Sequence, residues 1–175
     1  MVVELDQADA LLAIAEIAAT FAGFAALVTL FARRRVAGSG AHDLLRLRLV
    51  ITTSVVVVVT ALIPVALAGY GLDATLTLRI AAGVFLLLIY LAVTSFIRSY
   101  QPVRGLFPPD RLAVGVAATL EVLVQVALIM IVLGVLPDRH AGLYVSALVG
   151  TLSQAAFVFL RLVESTFGSI VGRNN

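Results

Sequence analysis

The chain has no cysteine, only two histidines and few charges: 13% of its 175 residues are Asp, Glu, Lys or Arg. Without cysteine there is no disulfide framework, no thiolate nucleophile, no haem attachment motif and no iron–sulfur site. The histidines, His42 and His140, have no partner at metal-ligand spacing and read as ordinary loop or headgroup-level residues, so no metal and no cofactor is expected. The scarcity of charge excludes a disordered chain, which needs low hydrophobicity and high charge. It also excludes an ordinary soluble domain, in which about a quarter of residues are charged.

Catalytic patterns are missing as well. The sequence contains no GxxxxGK[ST], no GxSxG and no HExxH. Ser39, His42 and Asp43 are too close in sequence to arrange a triad, so no enzymatic activity is expected. Lysine is absent too, and all twelve basic residues are arginine. They flank apolar segments as membrane anchors do, and no nucleic-acid partner is expected.

What the sequence has in abundance is apolar surface: 62% of residues are hydrophobic and the mean hydropathy is +1.13. Five apolar segments follow one another, at about 11–31, 47–69, 76–97, 112–136 and 141–163. Each is near the roughly 20 residues that cross a hydrocarbon core of about 30 Å at 1.5 Å per residue. The expected fold is an all-α polytopic bundle of five transmembrane helices, forming a single domain over 1–175. The run Val55 to Val59 has strand-like composition, but an isolated strand in lipid leaves its backbone unpaired, so helix is expected there too.

Arginine placement sets the expected direction. Arg33, Arg34, Arg35, Arg46, Arg48, Arg98, Arg104, Arg111, Arg161 and Arg173 fall on one side, and only Arg79 and Arg139 on the other. By the positive-inside rule the amino terminus is outside and the carboxyl terminus cytoplasmic, in a bacterial-type plasma (inner) membrane. The Arg33, Arg34, Arg35 cluster reads as a topology determinant in contact with anionic lipid. The first segment begins acidic and ends in those arginines, unlike a signal peptide.

Two acids lie inside spans, where an ionisable group is expensive and marks a functional or pairing site. Glu16 in the first span is placed roughly 8 Å deep and Glu121 in the fourth near the midplane. Ala113, Ala117, Glu121 and Gln125 recur every fourth residue and share one helical face, expected to point inward. Gln154 in the fifth span falls at nearly the depth of Glu121, and a hydrogen bond between them is expected. Rows of small residues in the first span imply close packing, with Glu16 and Thr20 one step round. Arg79 falls at the depth of Glu16, which predicts a structural ion pair.

Glu16, Thr20, Glu121, Gln125 and Gln154 are thus the candidate ion path or polar core. The leading expectation is a small homo-oligomer conducting a monovalent cation or protons past its intramembrane carboxylates. The alternative is a non-conducting membrane scaffold or accessory subunit whose polar groups specify helix packing. Membrane lipids are the other expected partners. An enzyme acting on lipid ranks last.

Overall fold

The computed structural model describes residues 2–33, 40–101 and 111–171. Five helices follow in order: α1 (Val2–Arg33), α2 (Gly40–Ala68), α3 (Ala74–Tyr100), α4 (Arg111–Leu133) and α5 (His140–Val171). A 3-10 turn, Pro137–Arg139, leads into α5. The described residues contain no strand, and the Val55 to Val59 run is helical. Helix closes every backbone hydrogen bond within the segment, which outweighs β-branched preference in lipid.

All five helices are long and apolar enough to span a membrane, over Gln7–Val28, Leu45–Ala68, Ala74–Tyr100, Val114–Leu133 and Pro137–Arg161. These stretches agree with the expected spans to about one helical turn. The apolar part of α1 starts earlier than Leu11, so Glu16 lies nearer the middle of its span than expected.

Consecutive helices run antiparallel, which gives the bundle two distinct ends. One carries the short turns α2–α3 and α4–α5; the other carries most of the described arginines. Helices α2, α3, α4 and α5 close a ring in that order, and α1 lies outside it, packed mainly on α2 and lightly on α5. The α1 contact stripe is Leu11, Ile14, Ala15, Ala18 and Ala25, all buried, whereas Ala19, Gly23 and Ala26 are exposed. A strict every-fourth row winds around a 3.6-residue helix, so the buried stripe alternates steps of three and four instead. Small side chains along it let the two backbones approach.

The turn-end half of the ring is filled. Phe85, Leu128, Ile131, Tyr144 and Leu148 are buried there, with the Phe85 and Tyr144 rings edge to face at 6.1 Å. Both turns have chemical causes. Gly71, at φ +71°, follows α2, and Asp73 caps α3 by accepting the Thr75 N–H at 3.1 Å. At the end of α4, Val135 N–H donates to Met130 O at 2.9 Å and Gly134 N–H to Ile131 O at 3.0 Å. This is a Schellman cap, and Gly134 supplies the left-handed residue it needs at φ +74°.

Candidate functional site

On α4, residues four apart share a face, and that face turns toward the ring. Ala117, Glu121 and Gln125 are half-buried, while Val122, Leu123 and Val126 are exposed. Gln125 Nε2 donates to Glu121 Oε1 at 2.8 Å, which fixes the carboxylate on its own helix. Glu121 lies about 10 Å along α4 from Val114, where the span begins.

Gln154 meets α4, but at a different atom from the one expected. Its Nε2 donates to the backbone carbonyl of Ala117 at 2.9 Å and not to the Glu121 carboxylate. A helical carbonyl keeps a second lone pair after its own helix bond, and Ala117 has only a methyl group to obstruct approach. Glu121 and Gln154 nevertheless border the same cavity.

That cavity has a volume of about 410 Å³ and occupies the arginine-rich half of the ring. Among the described residues its walls come from all four ring helices and none from α1: Leu49, Thr53 and Val56 on α2, and single faces between Ile89 and Ile97 on α3, Val114 and Glu121 on α4, and Thr151 and Val158 on α5. By helix register, Val56, Ile89, Glu121 and Thr151 stand at its blind end. One turn further, α4 and α5 close together: a Cβ on Gly150 would stand 2.9 Å from Val124 Cγ2. Among the described residues Glu121 is the only acid on the lining, and no basic side chain lies there.

Glu16 sits apart from this site. Its side chain is exposed on α1, and Thr20 turns its hydroxyl back to the Glu16 backbone carbonyl at 2.8 Å. The expected pair with Arg79 does not form. α1 packs on α2 and α5, whereas the Arg79 guanidinium on α3 lies against Gly134 at the end of α4. Similar depth along two helices does not make them neighbours, and these two lie on opposite sides of α2. Arg33 ends α1 with its side chain outside the described residues; Arg34 and Arg35 lie outside them altogether.

Sequence reasoning missed four polar groups. His140, read as a loop residue, is 2% exposed at the start of α5, with Nε2 3.2 Å from Val135 O and Nδ1 without a partner. Ser54 and Thr77 are also buried with hydroxyls that have no partner. Tyr144 is buried and donates its hydroxyl to Thr60 O at 2.7 Å. Only the last left a trace in the sequence, the proline four residues after Thr60. Among the described residues no cluster of His, Asp or Glu is arranged to hold a metal ion.

No family model, no curated protein and no solved structure matches the chain.

Proposed function

We propose that the protein handles a cation or a proton within the membrane, with Glu121 as the group that receives it. The observation carrying this reading is a carboxylate at the blind end of a cavity whose described lining has no basic side chain. A carboxylate in that setting favours positive charge, and Gln125 holds it in place through one oxygen while the other is left for a ligand. The turn-end half of the ring is packed, so passage across the membrane would require a further element. A homo-oligomer would provide one, and an exposed Glu16 at membrane depth supports a neighbouring chain against α1.

A specific observation favours a second reading, a non-conducting scaffold in a bacterial-type inner membrane. Gln154 and Tyr144 both spend their donors on backbone carbonyls of neighbouring helices, as polar groups that specify packing do. Proton and monovalent-cation flux into liposomes separates the two. Wild type should exceed empty-liposome leak, and Glu121→Gln at matched protein density should reduce the flux. Wild-type flux equal to leak across several voltages and pH values would make the scaffold the better account.

A further inference from the structure

The cavity has a size, a wall chemistry and an opening, and together they narrow what Glu121 receives. Its volume of about 410 Å³ falls within the range of small-molecule sites. One water takes up about 30 Å³, so a bare inorganic ion or a proton would leave most of this space unused. Most of the lining is apolar, with Val56 and Ile89 at the level of the acid and Val93 and Phe96 further toward the arginine-rich end. Thr151 and Gln154, at the acid's level, spend a donor each on backbone carbonyls, so the walls offer a hydrated ion little in exchange for its water.

The opening points the same way. Ile97 on α3 and Val114 and Ala118 on α4 line the cavity and are also exposed, so it opens sideways between these two helices. That side of a membrane-spanning bundle faces hydrocarbon. A ligand entering there has already partitioned into the bilayer, and it avoids the arginines at the end of the bundle.

Resting on the reading of Glu121 as a cation site, we infer that the cavity binds a lipophilic organic cation, an alkyl- or arylammonium. Its charged nitrogen sits at the Glu121 carboxylate and its hydrocarbon body lies along Val93 and Phe96. The charge is compensated at the blind end, where the described lining holds one acid and no base, and the body replaces empty apolar volume. Phe96 presents an aromatic ring on the way in, braced by stacking on Tyr100 at 5.9 Å.

The test uses full-length protein in lipid nanodiscs and radiolabelled hexyltrimethylammonium, with empty nanodiscs subtracted. Saturable binding is expected, and 2,2-dimethyloctane, the uncharged carbon isostere, should not compete. Glu121→Gln should weaken binding about thirtyfold or more, the scale for removing one partner of a buried charge pair. Ala118→Leu, which places bulk at the opening, should weaken binding of the organic cation. No saturable binding to wild type, or competition by the isostere equal to that of unlabelled probe, overturns the inference without any variant having to fold. Flux that depends on Glu121 with no binding leaves Glu121 as an ion site and removes the organic ligand. Binding that depends on Glu121 with no flux does the reverse, and binding unchanged in Glu121→Gln overturns the inference whatever the flux shows.

Discussion

The Tyr144 hydroxyl on α5 donates to the backbone carbonyl of Thr60 on α2, at 2.7 Å. Four residues on, where an N–H would normally reach that carbonyl, α2 has Pro64. The proline leaves an acceptor unserved inside the bundle, and a side chain from another helix serves it. Thr60 directs its own hydroxyl to Val56 O at 2.7 Å, so it is not the donor. The pair ties α2 to α5 at the floor of the turn-end core, where Tyr144 also meets Phe85.

Tyr144→Phe should therefore destabilise the protein by about 1–2 kcal/mol, through an orphaned buried carbonyl. In a Pro64→Ala background the restored N–H takes over, and the same substitution should cost clearly less. Reversible unfolding in bicelles or mixed micelles for the four proteins of this cycle is the measurement. Equal losses in both backgrounds would show that the proline is not what makes Tyr144 necessary.

Gly134 is constrained twice. Its φ of +74° disfavours any Cβ, and a Cβ there would meet the Arg79 guanidinium, 2.9 Å from Cζ. Gly134→Ala should lower stability by about 1 kcal/mol or more. Adding Arg79→Ala should recover the steric share and leave the backbone share. Thermal unfolding of the single and double variants checks this, and complete recovery would deny the backbone strain.

Glu16 and Arg79 should behave as independent residues. Losses from Glu16→Gln and Arg79→Gln should add in the double variant, since the two side chains have different neighbours. Partial rescue in the double variant would mean that the pair forms in the membrane after all.

Gln154→Leu should cost about 0.6 kcal/mol, the usual size of a hydrogen bond between membrane helices. Glu121→Leu should leave Gln154 bonded to Ala117 O and instead free the Gln125 amide. Coupling between Glu121 and Gln125 in a double-mutant cycle should exceed coupling between Glu121 and Gln154. The opposite order would restore the direct Glu121 to Gln154 bond.

The absence of cysteine makes topology simple to probe. Single cysteines at Ser39 and Gly105 should react with impermeant reagent only from the cytoplasmic side, and those at Asp73 and Asp138 only from outside. Labelling of the Asp73 position from the cytoplasm would break the expected orientation.

The helices were legible because crossing a bilayer demands length and hydrophobicity, and both are written locally in the chain. Which helices touch is not local. Arg79 was assigned to Glu16 from depth alone, and depth is blind to rotation about the bundle, which carried Arg79 to Gly134. Gln154 was placed against α4 at the right level, yet a one-turn difference in reach exchanged a carboxylate for a carbonyl. The α4 face succeeded because its polar residues are few and four apart. His140 failed because a short turn at Pro137–Arg139 gave no hint that the next residue would be buried.

Because no described residue of α1 lines the cavity, the two intramembrane acids belong to different compartments of the molecule. The ring of α2 to α5 encloses one, and the outer surface of α1 displays the other. An altered α1 surface can therefore change what the protein stands beside without redrawing what the ring holds. Changes confined to the cavity leave the outward face of α1 as it was. Substitutions on the exposed face of α1 should therefore leave the volume enclosed by the ring unchanged.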